Sequence, residues 1–132
     1  MLQPQYIVNN QHRNQNPNKS QWCIRVPEER DLFVSSFNSC WFHPDNQWCF
    51  GIIPNNKKPT ILGISASNDP LPQQELHFAK FVCDQNVWHG YPFGRASSDL
   101  NQIPKSVLDS WKKEGYISNA VRSKIHKGRY PL

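Results

Sequence analysis

The sequence predicts one α+β domain, in which an antiparallel β-meander of four to five strands precedes a C-terminal αα-hairpin. Two patterns carry this prediction. Residues 32–53 alternate apolar and polar positions on both sides of a polar turn, which is typical of a β-hairpin. Residues 104–128 carry apolar stripes at helical spacing between a proline and a glycine, which is typical of short helices. The length of 132 residues suits one domain with a core of its own.

The composition is polar, with a mean hydropathy of −0.72, but 12% of the residues are aromatic. Chains that are disordered throughout are poor in aromatic residues, so we expect a folded core with much solvated loop. No apolar run approaches the ~20 residues of a membrane span, and no apolar segment near the N-terminus resembles a secretory signal. We therefore expect a cytoplasmic protein without membrane contact, whose four cysteines are reduced.

The predicted meander occupies residues 21–83. Its strands are inferred from period-two alternation, from β-branched and aromatic content and from the turn residues between them. They are residues 21–26, 32–42, 47–53, 60–65 and 76–83. A short helix is the alternative for the last of these segments.

Aromatic side chains are expected to share one buried face of the hairpin 32–53. Phe33, Phe37 and Trp41 fall on the same side of a strand, and either Trp48 or Phe50 would face them from the second strand. Aromatic pairs across neighbouring strands stabilise a sheet, so this face should lie in the core.

Two segments depart from the regular pattern. Residues 1–20 are rich in Asn and Gln, which is typical of a flexible or loosely docked arm, although the apolar residues 6–8 could add an edge strand. Residues 84–103 predict a long irregular segment that contains an aromatic loop at 88–95. Loops of this length are uncommon in compact domains and are often functional.

The C-terminal hairpin has clear boundary signals. Pro104 suits the first helical position, and Gly115 suits the C-cap of a helix that ends near residue 114. Ser118 can N-cap a second helix, which Gly128 would end.

The net charge of +5 lies in residues 105–132, most of it in the C-terminal hairpin. Residues 1–104 contain eight basic and eight acidic residues, whereas residues 105–132 contain seven basic and two acidic ones. Such an asymmetry indicates an anionic partner, either nucleic acid or an acidic protein. The candidate binding residues are Arg95, Lys112, Lys113, Arg122, Lys124, Lys127 and Arg129.

The aromatic loop 88–95 combines His89, Tyr91 and Arg95 around two glycines. A histidine can transfer protons near neutral pH, and an arginine can hold a phosphate through two hydrogen bonds. His89 and Tyr91 are therefore the candidate catalytic residues. In the alternative interpretation, the aromatic side chains of this segment only anchor a loop in the core.

Cys40, His43 and Cys49 resemble part of a zinc site, because a Cys and a His separated by two other residues are common zinc ligands. If Phe42 pairs with Gln47, Cys40 lies opposite Cys49. Zinc sites usually show two close ligand pairs, and only one loose pair is present in the sequence. We therefore expect no metal and no cofactor.

Three functions remain open at this stage. The first is a binding module that engages an acidic partner, above all nucleic acid, through the basic helices. The second is a small metal-independent ribonuclease or toxin-like enzyme in which His89 acts as acid or base. The third is a protein-interaction factor, an inhibitor or adaptor, that inserts the aromatic loop into its partner. The first two predict one concave surface lined by His89, Tyr91, Arg95, Arg122 and Lys124. The oligomeric state is left open.

Overall fold

The computed structural model describes residues 4–56, 58–70 and 72–128. Over these residues the protein is a mixed α and β structure with four α-helices and two β-sheets, which confirms the predicted class. No helix in these ranges has both the length and the apolar character needed to cross a membrane. In chain order the elements are β1 (Gln5–Tyr6), β2 (Gln21–Trp22), α1 (Val26–Asn38), β3 (Trp48–Gly51), β4 (Gly63–Ile64), β5 (Glu75–Leu76), β6 (Phe78–Asp84), β7 (Val87–Phe93), α2 (Ser97–Leu100), α3 (Lys105–Lys113) and α4 (Asn119–His126).

The larger sheet has the strand order β1-β7-β6-β3, with the antiparallel hairpin β6–β7 at its centre. Gln85 and Asn86 connect these two strands, and both have positive φ, as in the tight two-residue turns that match the twist of a hairpin. β3 pairs antiparallel with β6, and β1 pairs in parallel with β7. The smaller sheet has the order β2-β4-β5.

Each face of the larger sheet contributes to a separate core. On one face, Phe78 and Phe93 pack with Trp111 of α3. On the other face, Phe81 packs with Phe33 of α1. Successive side chains of a strand point to opposite faces, which produces this division. The sheet therefore lies between α1 and the C-terminal helices.

The structure corrects the first strand of the predicted hairpin, because residues 26–38 form helix α1. Phe33 and Phe37 are four residues apart, a spacing that places side chains on one side of either a strand or a helix. The residues upstream favour the helix. Pro27 lies in its first turn and is followed by two glutamates, and both residue types are favourable at a helix N-terminus.

The predicted aromatic face is consequently wrong. Phe33 and Phe37 pack in the core on the α1 side, whereas Trp41 and Phe50 belong to the core on the opposite face. Helix α1 ends at Asn38, and a turn separates it from Trp41. Trp41 therefore does not continue the helix face that carries Phe33 and Phe37. The strand predicted at 47–53 is present as β3, but its long partner is β6.

Only one bridge remains of the predicted pairing between residues 32–42 and 47–53. It joins Phe42 and Cys49, so the register that would place Cys40 opposite Cys49 is also wrong. Cys40 itself has a positive φ of 60° and lies in the turn that follows α1.

The predicted irregular segment 84–103 is wrong over Val87–Phe93, which form strand β7, and over Ser97–Leu100, which form helix α2. Buried and half-buried residues alternate along most of this strand. Gly90 and Pro92 are typical of turns, and at the level of sequence they hide the alternation. Pro92 is tolerated because β1 pairs only with the first two residues of β7, which makes β7 an edge strand further along. The single antiparallel meander predicted over residues 21–83 is therefore wrong. That segment contains helix α1, its strands are divided between two sheets, and the larger sheet extends to residue 93 and includes the parallel strand β1.

The C-terminal helices have several of the end residues that their sequence suggests, but Pro104 is the N-cap of α3 and not its first helical residue, because its ψ of 148° is extended. The Oγ of Ser118 accepts a hydrogen bond from the backbone N–H of Val121, at 3.1 Å, and so caps α4. Gly115 and Gly128 follow α3 and α4 with positive φ, which glycine adopts without steric cost.

The described part of the N-terminal segment, residues 4–20, contacts the rest of the protein, as in the docked alternative. Tyr6 belongs to the edge strand β1, and its hydroxyl donates to Oε2 of Glu29. Arg13 donates to the other carboxylate oxygen through Nε at 3.0 Å and through Nη2 at 2.6 Å. The side chain of Glu29 is 0% exposed. These bonds join the N-terminal segment to α1.

The substitution Glu29→Gln is expected to lower the free energy of unfolding by about 3 kcal/mol, because it removes the carboxylate charge that compensates Arg13 in a buried ion pair. Denaturation in urea measures the change. The matched control is Glu28→Gln, whose pair with Arg25 is exposed to solvent, so this substitution should change the free energy of unfolding much less. Equal effects of the two substitutions would contradict a structural role for the buried pair.

Trp111 is 0% exposed, and its ring stacks on that of Phe78 with 6.0 Å between the centroids. We expect Trp111→Ala to lower the free energy of unfolding by about 3–5 kcal/mol, because it leaves a large cavity in the core. Thermal and chemical denaturation measure this loss. Val34→Ala, at an exposed position of α1, should change the stability by no more than about 0.5 kcal/mol. An unchanged unfolding midpoint for Trp111→Ala would show that Trp111 does not anchor the helices.

Candidate functional site

The lysines that carry the excess charge lie at the C-terminal ends of α3 and α4. Lys112 and Lys113 occupy the last turn of α3, Lys124 lies in the last turn of α4, and Lys127 follows it directly. Positive charge is stabilised at a helix C-terminus, so these positions also have a structural reason. All four residues are exposed, which places their charge at the surface of the protein.

Arg122 has a different environment from these lysines. Its Nε donates to Oδ1 of Asp109 at 2.9 Å, and its Nη2 donates to the same oxygen. This ion pair connects α4 to α3, and Asp109 offsets the charge that Arg122 would offer to an anion. Arg129, the last of the predicted binding residues, lies outside the described residues.

His89 and Tyr91 both lie on β7, two residues apart and on the same face of the sheet. His89 is half-buried opposite Val82 of β6. No hydrogen bond joins its imidazole to the described part of the chain. An acid or base in catalysis needs a partner that orients it, and none of the described residues provides one for His89.

Tyr91 contacts a residue that the sequence did not indicate. Its ring stacks on that of His12, with 5.1 Å between the centroids and 15° between the planes. The Nδ1 atom of His12 lies 2.8 Å from the carbonyl oxygen of Ser20. Burial, with a smaller contribution from Asp99, raises the pKa of Tyr91 to about 12. The Tyr91 hydroxyl is therefore protonated at neutral pH and can donate a hydrogen bond.

Arg95 follows β7, at the position where the chain turns towards α2. Its Nη2 donates to Oδ1 of Asp69 at 3.2 Å, and its backbone N–H donates to Oδ2 of Asp99 at 3.2 Å. The side chain is 15% exposed. Its Nε is buried without a hydrogen-bond partner among the described residues. The Arg95 guanidinium is thus bonded to Asp69 through Nη2, whereas its Nε–H has no acceptor among the described residues.

Tyr91 and Arg95 line one cavity of about 190 Å³, which we call the Arg95 cleft. Phe93 and Pro92 contribute apolar walls. The polar residues that line the cleft are Ser20, Ser65, Asp69, Tyr91, Arg95, Asp99 and Gln102. The predicted surface of five residues is therefore present only in part, because the cleft includes Tyr91 and Arg95 but is not lined by His89, Arg122 or Lys124.

Lys80 supports one wall of the Arg95 cleft. It is 6% exposed, and its Nζ lies 3.5 Å from the centre of the Trp48 ring. Nζ also donates to Oε1 of Gln102 at 2.6 Å. Burial lowers the pKa of Lys80, and the nearby Asp99 partly offsets this effect. The sequence contains a signal for Lys80. It lies two residues after Phe78, and thus on the same face of an otherwise apolar strand.

The end of α4 lies close to the Arg95 cleft. A Cβ atom built on Gly128 would lie 2.6 Å from the Cβ of Ser97, the first residue of α2. Gly128 directly follows Lys127, and Ser97 is two residues from Arg95. One end of the basic surface therefore borders the segment that forms the cleft.

A larger groove of about 490 Å³ adjoins the same region. Its walls include Arg13, Lys19 and Trp22 together with several amide side chains. Ser65 lines both this groove and the Arg95 cleft, so the two cavities share a wall.

The thiol positions do not form a metal site with their neighbours in the described chain. No group of three or more His, Cys, Asp or Glu side chains in that part of the chain could hold a metal ion. Burial, with a smaller contribution from Cys40, raises the pKa of Cys49 to about 12, so its thiol is protonated at neutral pH. Cys23, Cys40, Cys49 and Cys83 are all free.

Comparisons with protein-family models, with curated proteins and with solved structures found no match to this chain.

The stability of the protein is expected to fall as the pH drops below about 6.5. Burial lowers the pKa of both His12 and His77, so the unfolded chain binds protons at these residues before the folded protein does. The free energy of unfolding should be highest above the ordinary histidine pKa and should decrease between pH 7 and pH 5. Urea denaturation at a series of pH values measures this slope.

Substitution of His12 by Asn keeps a side-chain N–H donor near the Ser20 carbonyl but removes the titrating group. We expect His12→Asn to reduce the slope. His126→Asn, at an exposed position of α4, is the control and should leave the slope unchanged. A wild-type protein that is equally stable at pH 7 and pH 5 would contradict the prediction.

Proposed function

We propose that this protein binds nucleic acid through the exposed lysines at the ends of α3 and α4. One observation carries the proposal: the whole excess charge lies in residues 105–132, and Lys112, Lys113, Lys124 and Lys127 are exposed there. Residues 1–104 are neutral overall, so long-range attraction of a polyanion must come from the C-terminal segment. Lysines that contact phosphates provide affinity without sequence preference.

The two alternative functions have less support. A ribonuclease would need a partner for His89, and no described residue donates to or accepts from its imidazole. A protein-interaction factor would need an exposed aromatic loop at 88–95. Trp88 is 9% exposed and Phe93 is 4% exposed, because each belongs to one of the two cores on either side of β7. These two aromatic side chains are therefore not accessible to a partner.

The test is the affinity for a fluorescent single-stranded oligonucleotide as a function of salt concentration. We expect the logarithm of the association constant to fall linearly with the logarithm of the salt concentration, because phosphate contacts release counterions. The double substitutions Lys112→Gln/Lys113→Gln and Lys124→Gln/Lys127→Gln should each weaken binding. Each should also reduce the slope by roughly one unit for every lysine that contacts a phosphate.

The matched control is Arg25→Gln/Arg30→Gln, which removes the same charge from two exposed residues, the N-cap of α1 and a position within it, across the sheet from α3. If this control weakens binding as much as the lysine substitutions, net charge alone drives association and the proposed surface is wrong. Absence of binding at low salt, with retention on an acidic polypeptide, would favour an acidic protein partner and contradict the proposal. Unfolding midpoints verify that each variant is folded.

A further inference from the structure

The Arg95 cleft contains a buried donor that the described residues leave unsatisfied. Only Nη2 of the Arg95 guanidinium is bonded, to Asp69 at 3.2 Å, while Nε is buried without a partner. More than about 90% of buried polar groups in proteins are hydrogen-bonded, and an unsatisfied one costs about 1–3 kcal/mol. Asp69 holds the guanidinium in place, and the side chain lines the cleft. A ligand that brings acceptors into the cleft would meet the N–H groups of the guanidinium that Asp69 leaves unbonded.

Other polar atoms of the cleft define what else the ligand must carry. The Oε1 atom of Gln102 is occupied by Lys80, so its amide N–H groups remain as donors. The Tyr91 hydroxyl is a further donor. Asp99 accepts two backbone N–H groups at Oδ2, from Arg95 and Ala96, and no described group donates to its Oδ1. The cleft thus presents several donors and one carboxylate acceptor between apolar walls.

Among the common bases, guanine carries acceptors and donors that complement the donors and the carboxylate of the cleft. Its O6 and N7 atoms are acceptors that an arginine can bind together, and its N1–H and N2–H groups are donors for a carboxylate. Adenine presents an acceptor at N1, where guanine presents a donor, so its pairing with Asp99 would be poorer. The flat ring also suits walls formed by Phe93 and Pro92.

The size of the cleft favours a base without its sugar and phosphate. Its volume of about 190 Å³ is below the ~300–1,000 Å³ of pockets that enclose a drug-sized ligand. The phosphates of a bound strand would therefore lie outside the cleft. The end of α4 is available there, since Gly128 packs against Ser97 and Lys127 precedes it directly.

We propose that the Arg95 cleft binds one unstacked guanine base of a single-stranded nucleic acid, with Arg95 on the O6 and N7 edge and Asp99 on the N1–H and N2–H edge. This inference rests on the proposed function, because the lysines of α3 and α4 would hold the adjacent phosphates. The basic surface provides general affinity, and the cleft provides base selectivity.

The experiment compares thymidine nonamers that differ only in the central base, which is guanine, hypoxanthine, adenine or thymine. Fluorescence anisotropy gives the dissociation constants. The guanine nonamer should bind about tenfold more tightly than the thymine nonamer, as expected for one good base contact. The hypoxanthine nonamer should be intermediate, because that base keeps O6, N7 and N1–H but lacks the 2-amino group.

Two substitutions test the assigned contacts. Arg95→Lys keeps the positive charge but removes the two-pronged donor, so it should abolish the preference for guanine and leave the affinity for the thymine nonamer unchanged. Asp99→Asn retains an oxygen for the backbone N–H groups and removes the carboxylate. It should reduce the preference for guanine over hypoxanthine. Arg25→Lys, at the exposed N-cap of α1, is the matched control and should leave every ratio unchanged.

The outcomes separate the two proposals. If the wild-type protein binds all four nonamers equally, the guanine site is wrong and the phosphate-binding surface stands. If no nonamer binds at low salt, the proposed function fails and the guanine site fails with it. Guanosine monophosphate is added as a competitor, at a concentration equal to the dissociation constant of the guanine nonamer. Half-displacement at that concentration would indicate a site for the free mononucleotide and would overturn the assignment to a strand.

Discussion

The fold depends on a buried carboxylate, that of Glu29, which must find donors inside the protein. A carboxylate removed from water is stable only when strong hydrogen bonds replace those of the solvent. Arg13 donates to one oxygen and Tyr6 to the other. Burial, together with Glu29, raises the pKa of Tyr6 above its ordinary value, so the phenol keeps the proton that it donates. Both donors come from the N-terminal segment, so the requirement of Glu29 fixes this segment against α1.

The same N-terminal segment also contacts the strand that leads to the Arg95 cleft, through His12 and Ser20 on either side of Arg13. Ser20 donates through Oγ to the carbonyl oxygen of Pro92 at 2.8 Å, and His12 stacks on Tyr91. The N-terminal segment thus covers part of β7 and supplies one wall of the cleft. At the end of β7, Gly94 adopts a φ of +110°, and the chain turns into the segment that carries Arg95 and α2. The cleft is therefore formed by parts of the chain that are remote in sequence.

The basic residues divide into groups with different physical roles. Arg122 pairs with Asp109 and connects the two C-terminal helices. Lys80 is buried between the sheet and the helices, where its ammonium lies over Trp48 and fixes Gln102. The lysines at the ends of α3 and α4 are exposed and complement the helix dipoles. The net charge calculated from the sequence counts all of these basic residues equally. Only the exposed lysines, however, can attract a distant polyanion.

The sequence by itself determined the α+β class, the helix ends at Ser118 and Gly115, and the location of the excess charge. These features depend on local signals: residue types, capping positions and short-range periodicity. Only the tertiary structure decided that 26–38 is a helix and 87–93 a strand. The spacing of Phe33 and Phe37 fits both periods, and the turn residues of β7 hide its alternation. The tertiary structure also decided which cations are paired, because Asp69 is 26 residues from Arg95 and Glu29 is 16 residues from Arg13. Such partners meet only when the chain folds, so no local pattern can reveal them.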